Sequence, residues 1–147
     1  METISDPEQF HRQYDAQPDT AKINGRLVHF LKPKSIERFL DSEDIIKGFP
    51  LWARVWEASA ILAGYMADLP VDPGRHVLEI GAGLGLAGLT AAVFGHRVTL
   101  SEFDPHAMNF LHANIRLNGC GHADAIYLDW RQPQLDRQFD LIIGSEV

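Results

Sequence analysis

Residues 77–88, Val77-Leu78-Glu79-Ile80-Gly81-Ala82-Gly83-Leu84-Gly85-Leu86-Ala87-Gly88, constrain this chain more than any other stretch. The run His76-Val77-Leu78-Glu79-Ile80 reads as a short buried strand and leads straight into Gly81. Leu84 to Phe94 is apolar nearly all round and rich in Ala and Gly, which suits a helix held close against a sheet and stopped by Gly95. One or two glycines would satisfy a tight turn with no ligand. Glycines at 81, 83, 85 and 88 exceed that need. They let backbone approach a nucleotide-like ligand and aim the free N–H groups of the helix end at it.

Strand and helix keep alternating downstream. Arg97 to Ser101 is a second strand, and Asp104-Pro105 supplies an N-cap and a first-turn proline for a helix that Asn118-Gly119 closes. Ala125 to Leu128 is a third strand and Phe139 to Gly144 a fourth. Upstream, Ala58, Ile61, Leu62, Tyr65, Met66 and Leu69 form the apolar stripe of a helix ended by Pro70. The pattern predicts an α/β fold with a Rossmann-like, doubly wound, mostly parallel sheet. Residues 1–50 read as a lead segment and residues 51–147 as the regular core. In the lead, Asn24-Gly25 between two apolar runs predicts a small hairpin, and Ser35 ahead of Ile36 to Leu40 a short capped helix. The sequence stops at Val147, directly after strand four. A sheet truncated there, as part of a longer protein, is the expectation, with a complete small domain carrying strand four at its edge as the alternative.

Composition narrows the function classes. With 147 residues, 46% of them hydrophobic, the chain is long and apolar enough for one core. A net charge of −7 without any basic block argues against nucleic acid and against anionic membrane surfaces. The first residues mix charges without an apolar run, so no leader is expected, and no stretch approaches ~18 apolar residues. Cys120 is the single cysteine, which points to a reducing compartment, the cytoplasm by default. The seven His are scattered without metal-ligand spacing, so no metal is expected. Oligomeric state is left open.

Gly83 to Gly88 formally matches the GxGxxG dinucleotide fingerprint, but in that fingerprint the first glycine follows the strand at once. Here that glycine is Gly81, and the third required glycine would then fall on Leu86. The register that fits is acidic-x-Gly-x-Gly-x-Gly, with Glu79, Gly81, Gly83 and Gly85, which resembles enzymes that bind S-adenosylmethionine. Glu102, at the end of strand two, is placed to accept hydrogen bonds from ribose hydroxyls, while Asp104 beside Pro105 is the better cap. Asp129 after strand three can accept from an adenine amino group, and the indole of Trp130 can line the ring, although such a pair is also common as surface and core.

Three segments, VWEASAILAGYM, VLEIGAGLGLAG followed by VTLSEFD, and LDW followed by FDLIIGSEV, resemble the seven-strand methyltransferases and, within them, the lysine methyltransferase-like group called methyltransferase family sixteen. They span Val55 to Val147. The resemblance implies S-adenosylmethionine as cofactor, with contacts from Trp56, the Gly81-Ala82-Gly83 turn, Glu102, Trp130 and Ser145. It implies a methyltransferase acting on a nitrogen, foremost a protein lysine. A small-molecule methyltransferase and a non-catalytic, cofactor-binding partner module are the alternatives. An NAD-dependent reductase is disfavoured by the glycine register. The group commonly has Asp where Glu102 stands, and its acidic-x-x-Tyr motif begins here at Glu146 without reaching a tyrosine. Glu146 is the candidate catalytic residue, a carboxylate that orients the acceptor ammonium. Trp52 reads as core.

Overall fold

In the computed structural model, which describes residues 4, 6–40, 43 and 48–147, four parallel strands form the sheet. The strands are β3 (His76–Glu79), β4 (Arg97–Glu102), β5 (Ala123–Tyr127) and β6 (Leu141–Ile143), after an antiparallel hairpin of β1 (Ala16–Ile23) and β2 (Arg26–Pro33). The sheet order is β5-β4-β3-β6, with Leu78 opposite both Thr99 and Ile142. All four residues of β3 are buried; Val77 and Leu78 are apolar, and the polar His76 and Glu79 at its ends are matched by Thr99 and by Gly88 N–H. The helices are α1 (Pro7–Gln13), α2 (Glu57–Asp68), α3 (Leu86–Val93) and α4 (Pro105–Leu117). The alternation read from the sequence is therefore the fold, with the ends of the sheet strands shifted by at most two residues.

Asn24 and Gly25 take φ 44° and 83°, the twist that a two-residue hairpin demands. The hairpin is longer than expected because Val28, Phe30 and Pro33 all face inward. Its outer ladder is closed by side chains of α4. Asn114 accepts from Leu31 N–H at 2.7 Å and donates to Leu31 C=O at 3.3 Å. One helical turn on, Asn118 accepts from His29 N–H at 3.0 Å and donates to His29 C=O at 2.6 Å. Two amides at i and i+4 thus stand in for a neighbouring strand. Phe10, Tyr14, Val28 and Phe30 of the lead join Phe110 and Leu111 in one hydrophobic core, so residues 1–50 and the sheet share an interior.

Two local expectations need correction, and one element was not expected. The short helix at Ile36–Leu40 is a single 3-10 turn, Glu37–Phe39, because Leu40 turns extended while Phe39 is drawn into ring contact with Trp52 at 5.0 Å. The stripe on α2 is not one buried face. Met66 is fully buried, but Ile61 and Tyr65 are 76% and 58% exposed, and the small Ala63, outside the stripe, is fully buried beside it. Helix α1 has no counterpart in the sequence reading, although Asp6-Pro7 is the same signal as Asp104-Pro105. Asp6 accepts from Glu8 and Gln9 N–H groups, and Asp104 from His106 and Ala107. Such a cap is missed when the following turns carry mostly polar residues.

Candidate functional site

The loops that leave β3, β4, β5 and β6 at their carboxyl ends open on one crevice of about 350 Å³. In a parallel sheet this is where ligands bind, at the point where strand order reverses between β4-β3 and β3-β6. Gly81, Ala82 and Gly83 form its floor. Gly81 and Gly83 have φ 59° and 57°, conformations that L side chains rarely adopt, and a Cβ would fill the cradle: at Gly83 it would stand 3.2 Å from the Trp52 carbonyl, and at Gly81 3.1 Å from the Trp130 ring.

Glu102 ends β4 with its carboxylate in the crevice. Oε2 accepts from Gly83 N–H at 2.9 Å, and Oε1 accepts from Phe103 N–H at 2.7 Å and Asp104 N–H at 3.2 Å. Three backbone donors fix the group in one orientation. About one of the roughly four acceptor positions of a carboxylate remains for a ligand. Asp104 is spent on the cap of α4, as its proline neighbour indicated.

Two acids and one glycine expected at the site stand elsewhere. Glu79 is 2% exposed and lies behind the turn, where Oε2 accepts from Gly88 N–H at 2.9 Å. Burial pushes its carboxyl up to about 8; the Gly88 N–H opposes this and the Glu102 charge adds to it. Glu79 therefore holds the first turn of α3 in place instead of lining the crevice. Gly85, with φ 89°, is the N-cap of α3 and faces Leu111 and Leu100, not the crevice. Asp129 borders an adjoining recess of about 330 Å³ that shares Glu102 and Trp130 with the crevice. Its carboxylate is gripped by Arg131 through two bonds of 2.8 Å, which hold it below the ordinary carboxylate range. It borders the recess with its oxygens turned to Arg131.

Trp56, Trp130, Ser145 and Glu146 do line the crevice. The Trp56 indole N–H donates to Leu51 C=O at 3.0 Å and the Arg54 guanidinium sits 5.1 Å over its ring, so residues 51–56 fold into a wall. Trp52, read as core, is 8% exposed and serves both ends: its ring joins the interior and its backbone abuts Gly83. Leu51 and Arg54 also reach the crevice unannounced, because residues 49–55 carry only a single 3-10 turn, Leu51–Ala53, too short for a periodicity that could place them, and Ser59 joins them from the first turn of α2.

A model described as lysine methyltransferase matches residues 43–147. The chain belongs to the lysine methyltransferase family. Among curated relatives, EEF1A lysine methyltransferase 3 of Xenopus tropicalis is 30% identical over 65% of this chain and 44% of its own length. Protein N-lysine methyltransferase METTL21A of Danio rerio is 36% identical over 65% and 47%. Histidine protein methyltransferase 1 homolog of Dictyostelium discoideum is 31% identical over 78% and 40%. The chain thus spans less than half the length of these relatives. Among solved structures, P. horikoshii TYW2 in complex with MeSAdo superposes with a TM-score of 0.57 at 25% identity, over 85% of this chain and 41% of that one. The T. thermophilus 16S rRNA methyltransferase RsmC reaches 0.64 at 22% identity over 90% and 33%, a likeness of fold. The family match covers every crevice residue named here.

Proposed function

We propose that this lysine methyltransferase family member binds S-adenosylmethionine in the crevice and belongs to an enzyme that methylates a lysine nitrogen of a protein. The observation that carries the reading is the glycine floor under a carboxylate fixed by three backbone N–H groups, at the carboxyl end of a parallel sheet. The residues present fit the cofactor. The floor has room only while Gly81 and Gly83 lack a Cβ, Glu102 keeps an acceptor position for a ribose hydroxyl, and Trp130 offers an aromatic face beside the adjoining recess. The cofactor supplies a methyl group already activated by its sulfonium, so the protein has mainly to align, hold and exclude water. Trp52, Trp56 and Leu51 contribute the apolar wall that keeps water out. Glu146 is placed at the crevice to accept from the acceptor ammonium and orient it before its proton leaves. A cytoplasmic location is part of the proposal.

The Dictyostelium relative covers more of this chain than the lysine enzymes do, and it favours a second reading in which the acceptor is a histidine ring. Both are tested together. Titration calorimetry with S-adenosylhomocysteine and with NADH is expected to give saturable heat with the first alone. Incubating a cell extract with the protein and S-adenosylmethionine labelled at the methyl group, followed by acid hydrolysis, is expected to yield labelled methyl-lysine. Heat with NADH alone overturns the cofactor, and labelled methyl-histidine without methyl-lysine transfers the assignment to the second reading.

A further inference from the structure

Beyond Ile143 the chain leaves the sheet, and the last ladder bond runs from Ile80 N–H to Ile143 C=O at 2.9 Å. Among the described residues, no backbone hydrogen bond holds residues 144–147. Yet this short segment is strongly shaped. Gly144 passes so near β3 that a Cβ there would stand 2.9 Å from the Ile80 side chain. Glu146 takes φ 55°, one of two non-glycine residues with positive φ among those described, and the other, Asn24, is imposed by the hairpin turn. No turn geometry of that kind imposes it at Glu146. A left-handed residue of this type persists only where its surroundings over-determine it.

One hydrogen bond ties the segment down. The Ser145 hydroxyl lies 2.9 Å from the Ser59 hydroxyl, in the first turn of α2. Both side chains line the crevice, and Ser59 is otherwise fixed by the helix through its N–H bond to Trp56 C=O at 3.1 Å. A rigid helix therefore presents a hydroxyl to the residue immediately before Glu146. The floor lies on the other side of the segment, where a Cβ on Gly81 would meet the Val147 side chain.

We propose that Ser59 is a positioning residue: through Ser145 it clasps the loop after β6 to α2 and so holds Glu146 in the left-handed conformation that sets its carboxylate at the crevice. The inference rests on the reading of Glu146 as the group that meets the acceptor. The clasp itself is a property of the chain without any ligand. Among the described hydrogen bonds, the Ser59 hydroxyl meets Ser145 and neither the glycine floor nor Glu102, so it acts on the crevice through the loop after β6.

The test uses three variants, Ser59→Ala, Ser59→Thr and Ser145→Ala, and three readouts. Amide order parameters of Ser145 and Glu146 by NMR relaxation are expected near 0.85 in the parent protein and below about 0.6 in both alanine variants, with recovery in Ser59→Thr, which retains the hydroxyl. Affinity for S-adenosylhomocysteine is read on the Ser59 variants alone, since Ser145 is itself among the residues expected to touch the cofactor, and is expected to stay within about twofold, as Ser59 makes its hydroxyl bond to Ser145 and not to the glycine floor or Glu102. The rate of methyl-lysine formation in the labelled extract is expected to fall roughly three- to tenfold and to recover in Ser59→Thr. Unchanged order parameters in Ser59→Ala overturn the clasp. So does a tenfold loss of S-adenosylhomocysteine affinity in Ser59→Ala with an ordered loop, which would make that hydroxyl a cofactor contact. A parent protein that fails to bind S-adenosylhomocysteine refutes the methyltransferase reading instead, and the order parameters distinguish the two failures.

Discussion

Glu79→Gln tests the proton held behind the glycine turn. Glu79 is almost wholly buried, and its carboxyl is pushed up to about 8 by burial, with the Glu102 charge adding to the effect and the Gly88 N–H opposing it. In the unfolded chain the same group titrates near 4.5. Between these two values the native state keeps a proton that the unfolded chain has released, so stability falls as pH rises through that window and levels off above about 8. At about 1.4 kcal/mol per pH unit the full window amounts to about 5 kcal/mol, and local relaxation and water entry bring the expected loss to about 2–5 kcal/mol. Glutamine has nearly the same shape, keeps an oxygen for the 2.9 Å bond from Gly88, and cannot ionise. The variant should match the parent near pH 5 and exceed it by about 2–5 kcal/mol at pH 9. Urea unfolding followed by tryptophan fluorescence at pH 5, 7 and 9 measures this. Parallel pH profiles for the two proteins, or a variant weaker than the parent at pH 9, would refute the assignment of a buried, protonated Glu79.

Glu102→Ala is expected to weaken S-adenosylhomocysteine ten- to a hundredfold by calorimetry, as the ribose loses a charged acceptor, whereas Asp104→Ala should leave affinity intact and cost ~0.5–2 kcal/mol in urea through the lost cap. The reverse ranking would exchange the two roles. Asn114→Ala strands the N–H and C=O of Leu31 at the edge of the hairpin and the buried C=O of Leu84, and should cost ~1–3 kcal/mol; an unchanged urea midpoint would show that this amide contributes nothing. Ile142, 61% exposed on the edge strand β6, should promote association at high concentration, and Ile142→Lys should suppress it in sedimentation; equal behaviour of the two proteins would mean that β6 is not the contact.

The fold was legible because each element carried its own punctuation. Asn24-Gly25, Asp104-Pro105 and Asn118-Gly119 mark boundaries through backbone conformations and caps that few other residues provide, and they appear in the structure where the sequence puts them. What could not be read was which side of an element faces the interior when small residues set the contact. On α2 the stripe through Ile61 and Tyr65 looks like a core face, yet those two are exposed while the small Ala63 is fully buried with Met66, so the buried face is turned from the one the large residues mark. The wall formed by residues 51–56 escaped for a different reason: its shape comes from the Trp56 indole bond to Leu51 C=O, a contact that no periodicity announces.

The same limit explains the two acids. Sequence spacing puts Glu79 and Glu102 at the ends of adjacent parallel strands, and both read as ligand groups. In a strand, one residue decides the side on which a carboxylate falls. Glu79 is two residues before Gly81 and on the side of α3, so it meets Gly88 N–H in the interior. Glu102 closes β4 where the sheet stops and meets Gly83 N–H from the crevice. The glycine turn is thus held between two carboxylates of opposite environment, one buried with its proton and one open to ligand. The chain's own carboxylates thus bond the binding loop at Gly83 and Gly88, which lowers the affinity lost to loop ordering. Loss of either acid should therefore loosen the turn, but only loss of Glu102 also removes a contact. In Glu79→Gln the turn stays held and cofactor affinity should remain within about twofold at pH 7, so a large loss there would mean that the buried carboxylate acts on the ligand after all.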